Sequence, residues 1–351
     1  MKIAIIGSGF FGLASAFELL KNGHEVTVFE KETDILQGAS KKNQFRFHLG
    51  YHYPRSQATV NEVKKANKEF TKFYSCSVFG KTKNYYAISL FDSKTTLKNY
   101  LKFVKKNKLS FKKSLISYNK KLTSHFYLSK EKNLNYFKFK KIIKNKILKH
   151  KINLFKNTEF SKKDLKNYDK VIVSCYSYNN HVLNNLGIKK IPKHKYELIE
   201  KILIKLPKKY KDQSFIVLDG DFVCLDPYLG TNYHLLSDVK NSKIEIIKSK
   251  FPIFKNKLHK SLKIGIDYNK KNSNFKNFID NSVKYLPFLK KAKFVGSFKV
   301  VRTLSLNKNS QLKDERLSYI TKHSSKIISI LAGKWNTSIY VAKKISEIIK
   351  V

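Results

Sequence analysis

The rhythm of apolar and polar positions changes repeatedly within the first thirty residues. Ile3 to Ile6 is an unbroken apolar run, as expected of a strand buried on both faces. Gly7, Gly9 and Gly12 follow with the spacing G-x-G-x-x-G. Ala16 and Leu19 then fall at helix-packing positions, and Gly23 at a helix-ending one. Val26 to Phe29 is a second apolar run, closed by Glu30, 21 residues after Gly9. Strand, glycine turn, helix, strand and acid in this order predict a βαβ unit that binds a dinucleotide. Gly7 permits the tight turn, Gly9 lets a pyrophosphate reach the backbone, and Gly12 lets helix and strand pack closely. Free N–H groups at the helix start favour the phosphates. Glu30 can accept hydrogen bonds from the ribose hydroxyls, and its charge disfavours a 2′-phosphate.

Beyond this unit the rhythm is less regular. Residues 31–59 are loop-rich, and residues 60–74 read as an amphipathic helix. Short strand-like runs such as YYAISLF and SHFYLS occupy residues 76–130. Residues 137–149 are helical by pattern, whereas INLFKNTEF and DKVIVSCYS read as strands. Residues 186–300 are mostly strand-like, with FIVLDGDFVCLDPY and YHLLSDV, broken by a helix over residues 275–285. The ending, KIISILAGKWNTSIYVAKKISEIIK, predicts strand, glycine turn and amphipathic helix. There is no internal repeat and no flexible linker.

With 351 residues, 42% of them apolar, the chain can bury a large core in about two domains. No window approaches the ~18 uninterrupted apolar residues of a membrane span, and no signal peptide is visible. Cys76, Cys175 and Cys224 form no C-x-x-C pair, so a reducing, cytoplasmic setting is expected. No Asp, Glu and His cluster has metal-ligand spacing, and no metal is expected.

The net charge of +47 invites a nucleic-acid reading. Only Arg46, Arg55, Arg302 and Arg316 are arginine, so 72 − 4 = 68 of the basic residues are lysines, spread along nearly the whole chain. Asn, Ile, Phe and Tyr are also abundant, the profile of an AT-rich coding sequence. A nucleic-acid surface would cluster its charge and use arginine forks, so no nucleic-acid partner is expected. The charge still draws anionic substrates. In so lysine-rich a chain, each arginine marks a position where a planar fork serves and an ammonium does not.

Four segments carry a family resemblance. They are the N-terminal fingerprint with Glu30, the GAS…N…HLGYHYPR stretch from Gly38 to Arg55, YDKVIVSCYSYNN from Tyr168 to Asn180, and LAGKWNTS from Leu331 to Ser338. Together they resemble the D-amino-acid-oxidase-like family of FAD-dependent oxidoreductases. The third segment departs from the family pattern, with Cys175-Tyr176 where Ala-Gly is usual.

The resemblance implies an α/β fold: a Rossmann-type FAD-binding domain with a central parallel sheet, plus an antiparallel-sheet substrate domain of α+β type. The FAD-binding domain is expected to be discontinuous, over residues 1–75, 136–185 and 295–351, with the substrate domain over 76–135 and 186–294. The implied cofactor is FAD, bound extended. Its expected contacts are Gly7, Gly9, Phe10, Phe11, Gly12, Glu30, Lys31, Ser40, Asn43, Cys175, Gly333, Lys334, Trp335, Asn336 and Thr337. The last helix is expected to start near Asn336, with the N–H groups of Asn336, Thr337 and Ser338 toward flavin O2.

Hydride transfer to flavin N5 needs an anchored substrate and a path for the second proton. The anchor candidates are Arg302, just before the C-terminal cap, and Arg55, at the end of the flavin loop. For Arg302 a structural ion pair is the competing role, and Arg316, beside Asp314 and Glu315, reads as an exposed ion pair. His48 and His52 are the base candidates. An amine can arrive deprotonated, so two histidines tilt the reading toward a hydroxy acid or another polyol. Tyr51, Tyr53, Tyr228 and Tyr233 either wall the pocket or simply pack, and His234 is a weaker candidate from the second domain. The expected function is hydride transfer from a small anionic substrate, a hydroxy acid or amino acid, to FAD. The alternative is a flavoenzyme acting on a sugar, a nucleotide-sugar or RNA.

Overall fold

The computed structural model describes residues 1–220, 223–308 and 312–350. Two large sheets organise it. The apolar run at the start forms the strand Lys2–Ile6, buried from Ile3 to Ile6. It lies at the centre of the first sheet, in parallel between Glu25–Phe29 and Lys170–Val173. Asn153–Phe155 and Ile327–Leu331 extend the parallel pairing on either side, and Tyr319–Lys322 closes one edge antiparallel. The helix Phe10–Lys21 is buried continuously from Phe10 to Leu19. It has no solvent face there because the last helix, Ser338–Lys350, packs along it opposite the sheet.

The second sheet has nine strands. Its spine is the long strand His194–Lys205, paired along one edge with Lys293–Leu304 and along the other with Lys243–Ser249 and then Tyr233–Asp238. Val223–Tyr228, Gln213–Leu218 and Lys83–Ile88 continue it. The pairing of Gln213–Leu218 with Lys83–Ile88 is parallel, so the sheet is mixed where a purely antiparallel one was expected.

Three other expectations change. The boundary at residue 295 moves, because Lys293–Leu304 belongs by its hydrogen bonds to the second sheet. Leu97–Lys106, within a region read as strand-like, is a helix. Its signals were local: the Thr96 side chain accepts from the backbone N–H of Asn99, and Tyr100 and Val104 are buried four residues apart. Asn256–Lys263 is likewise helical. The run FIVLDGDFVCLDPY supplies two strands, Gln213–Leu218 and Val223–Tyr228, and its residues 221–222 lie outside the described residues.

Candidate active site

The two sheets meet over one open cleft with about 1650 Å³ of empty space. Its floor comes from the fingerprint turn (Gly9, Phe10, Phe11), from residues 39–48 and from the final turn (Gly333, Lys334, Trp335). Its roof comes from Ile199, Lys201, Cys224, Asp226, Ser237 and the 300–305 stretch.

The fingerprint turn is shaped by absent side chains. Gly7 has φ +101°, and a Cβ there would lie 2.7 Å from the Ser174 carbonyl oxygen. A Cβ on Gly12 would lie 1.9 Å from the Gly7 carbonyl oxygen, so helix and strand approach as closely as bare backbone allows. Glu30 is buried. One of its oxygens accepts from the Ser8 backbone N–H at 2.9 Å and the Ser8 hydroxyl at 2.6 Å. The other accepts from the Glu32 N–H at 3.0 Å. The carboxylate is therefore held in place at the edge of the turn, with one of its roughly four acceptor sites left for a ribose. Cys175 lies beside the same turn, its Sγ 3.2 Å from the Ile6 carbonyl oxygen. Lys31 stands over the Tyr178 ring at 4.1 Å.

At the far end of the floor, Trp335 packs on Phe10, Phe47 and Phe70. Among the described residues its Nε1–H is buried without a partner, as are Asn336 Oδ1 and Ser338 Oγ. Of these three residues only Trp335 lines the cleft; Asn336 and Ser338 are buried and do not. An unmatched buried N–H at a cleft wall is costly unless a ligand meets it. A glycine cradle, a fixed acid and the Trp335 N–H fit FAD. The last α-helix begins at Ser338, preceded by a 3-10 turn over Trp335–Thr337, two residues later than expected.

The histidine loop is tied to this final turn. Asn336 donates from Nδ2 to the His48 carbonyl at 3.1 Å and to Asn67 Oδ1 at 2.7 Å, and Asn67 donates to the same carbonyl at 2.8 Å. His48 and His52 both line the cleft, with ring centroids 5.3 Å apart. Burial, reinforced by the positive charge of Lys334, holds both imidazoles well below their usual range. Lys334 reaches over the Tyr53 ring at 4.9 Å. Burial and the nearby Arg316 bring its amine down to about 7.

The four arginines have distinct surroundings. Arg46 is fully buried, contacting Asp226 at 2.5 Å, Glu131 at 3.2 Å and Asn84 Oδ1 at 2.9 Å. It props the loop against the second sheet. Arg55 does not line the cleft: its Nε is 2.9 Å from Asp219, and its Nη1 donates to the Leu312 carbonyl at 3.0 Å. Arg316 is paired with Asp314, as expected, but it is not exposed, and it lines the cleft. Arg302 also lines the cleft, directly across the ladder from Glu197. Its Nε donates to Glu197 at 2.6 Å, and Nη2 contacts the same oxygen. Burial raises the Glu197 carboxyl, but Arg302 and Lys195 outweigh it and hold the group at about 2. The Nε side of the Arg302 fork is thus occupied, and among the described residues no partner holds Nη1.

The tyrosine candidates are packing residues. Tyr51 stacks on Tyr86, Tyr228 stacks on Phe45, and none of Tyr51, Tyr53, Tyr228 and Tyr233 lines the cleft. His234 is buried against the Tyr210 carbonyl at 3.0 Å, away from the cleft. Lys42, Gln44, Lys201 and Asp226 line it without having been singled out in the sequence, and Tyr176, noted there only as a departure from the family pattern, lines it too. Apart from the general informativeness of a buried lysine, nothing local marks them. Among the described residues, no group of His, Cys, Asp or Glu is placed to hold a metal, and no helix is long and apolar enough to cross a membrane.

A glycine-turn parallel sheet roofed by a second sheet over one cleft defines a two-sheet dinucleotide-binding oxidoreductase fold. Residues 2–87 match the family model described as FAD dependent oxidoreductase. The FAD-dependent monooxygenase kojA of Aspergillus flavus is 42% identical over 74 residues, which is 21% of this chain and 17% of that protein. The fold match runs the full length. Glycine oxidase from Geobacillus kaustophilus superposes with a TM-score of 0.71 at 12% identity, covering 99% of this chain and 94% of that one. L-proline dehydrogenase from P. horikoshii gives 0.71 at 15% identity, covering 99% and 92%. L-alpha-glycerophosphate oxidase from Mycoplasma pneumoniae, with FAD bound, gives 0.69 at 12% identity, covering 100% and 94%. Over residues 2–87 the chain is thus similar to FAD-dependent oxidoreductases, over its full length it shares the fold of these solved structures, and its cofactor is FAD.

Proposed function

We propose that this FAD-dependent oxidoreductase oxidises a small anionic substrate, a hydroxy acid or an amino acid. The observation that carries the reading is the open edge of Arg302 in the same cleft as the fingerprint turn and the two histidines. Glu197 holds the guanidinium from one side and so fixes its direction. A planar fork so fixed suits the two oxygens of a carboxylate. Bound FAD supplies the hydride acceptor, flavin N5. The other half of the oxidation is the loss of an O–H or N–H proton. His48 and His52, kept neutral by burial, have the right form to take it. Glycine, L-proline and glycerophosphate, in the names of the three structural neighbours, are each small molecules with an anionic group.

The test is anaerobic bleaching of the flavin by a panel of hydroxy acids, amino acids and neutral polyols. Bleaching by one or more anionic members, at rates reduced in Arg302→Lys, is expected. Bleaching by neutral polyols alone would replace this reading with a sugar oxidoreductase.

A further inference from the structure

Six cationic side chains line the cleft: Lys42, Arg46, Lys201, Arg302, Arg316 and Lys334. Three have carboxylates: Arg46 has Asp226 and Glu131, Arg302 has Glu197, and Arg316 has Asp314. Lys42 donates to the backbone carbonyls of Leu262 and Lys299 at 3.0 Å each. Lys334 has the Tyr53 ring. Lys201 is different. It is 91% buried, and among the described residues no carboxylate, carbonyl or ring partners its ammonium. Burial, and then Arg302, lower its pKa to about 8, so at neutral pH it remains charged. The Asp226 carboxylate is close enough to favour the charged form, but it is already engaged by Arg46. A buried ammonium with no direct partner is costly unless something arrives to meet it.

The strand register says where that charge stands. Lys201 lies on the same strand as Glu197, four residues on, and therefore on the same face. Glu197 is directly across from Arg302, and the rung between is Ile199 opposite Val300. Ile199 and Val300 line the cleft as well. The roof thus presents a cation, an apolar rung and a second cation, with backbone centres about 13 Å apart at ~3.3 Å per residue. Long Lys and Arg stems shorten the gap between their charged heads.

We propose that Lys201 seats a second anionic group of the substrate, so that the molecule oxidised is a dianion with a short apolar middle. One end is taken by Arg302 and the other by Lys201. This rests on the anionic-substrate reading above and narrows it. A dicarboxylate and a carboxylate bearing a phosphate share the required chemistry.

The holoenzyme is titrated with three redox-inert probes, reading the perturbation of the flavin absorption spectrum. Butyrate has one anionic end, glutarate has two carboxylates, and 3-phosphonopropionate has a carboxylate and a phosphonate. At least one dianion is expected to bind roughly 10- to 100-fold tighter than butyrate, the scale of one charged hydrogen-bonded contact. The better dianion identifies the second group as carboxylate or phosphate. Lys201→Met should abolish the difference while leaving butyrate affinity and FAD content unchanged. Lys201→Gln provides the same readout if the methionine variant is unstable. Butyrate binding as tightly as both dianions would overturn the proposal and leave the anionic-substrate reading standing. Loss of FAD in both Lys201 variants would also overturn it, making Lys201 a cofactor contact. No response to any of the three anions would remove both readings.

Discussion

The floor and the roof of the cleft are built by different means. The floor works through backbone: a glycine turn, the start of a buried helix and one acid fixed by Ser8 and Glu32. Its contacts are close in sequence, and their spacing is dictated by helix and strand geometry. The roof presents long side chains, Lys201 and Arg302, carried on paired strands about a hundred residues apart in sequence. A backbone cradle tolerates almost no substitution but suits any molecule with the same pyrophosphate. A side-chain roof can be altered residue by residue, which is where substrate choice can diverge while the cofactor stays the same.

Five perturbations sharpen this contrast. The largest effect is expected where floor and roof are bolted together. Arg46→Met leaves Glu131 and Asp226 buried without their cation, and should cost about 3–5 kcal/mol of stability. Equilibrium denaturation measures it, and a loss under 1 kcal/mol would mean the network is dispensable. Next is Gly12→Ala. Its new Cβ meets a backbone oxygen that cannot swing away, so about 3 kcal/mol and most bound FAD should be lost. Normal FAD content after gel filtration would show that the helix can shift.

Glu30→Ala should weaken FAD by roughly 1–3 kcal/mol through lost ribose hydrogen bonds. Fluorescence titration of the apoprotein reads this directly. Arg302→Lys is the roof counterpart. It should raise KM about tenfold or more with FAD content unchanged, because an ammonium cannot copy the fork. A fall in FAD content would instead make Arg302 part of the cradle.

The smallest effect is in pH. Burial and Lys334 depress the His48 and His52 pKa values, so the proton-accepting form persists down through pH 6.5. It is lost only as pH falls through the lowered value. The acidic limb of kcat/KM should therefore lie below 6.5, and Lys334→Met should move it upward by removing a positive neighbour. A limb above 6.5 would assign the proton to another group.

Much of the floor was legible in the sequence. The first strand, the glycine turn, the helix and Glu30 occur as the pattern predicts, since each is a local consequence of hydrophobic period and glycine placement. The roof was only partly legible. The strand character of residues 186–300 was visible, but its register was not, so the partnership of Arg302 with Glu197 and the lack of one for Lys201 could not be read. Arg55 looked as suitable an anchor as any residue of the flavin loop until the fold brought Asp219 to it from 164 residues away. Arg316 looked exposed because its acids are adjacent in sequence, yet the turn at Gly333 packs against its backbone and draws it into the cleft wall.

What the chain determined by itself was therefore the cofactor-binding unit, whose geometry closes within thirty residues and depends on backbone conformation. The arrangement of charges around the cleft was decided only by tertiary structure. A charge's role depends on which opposite charge reaches it, and here those partners arrive through strand pairing between distant segments. Among 68 lysines, nothing in the neighbours of Lys201 along the chain distinguishes it. Its burial on the central strand of the roof, facing the cleft with no carboxylate in direct contact among the described residues, does.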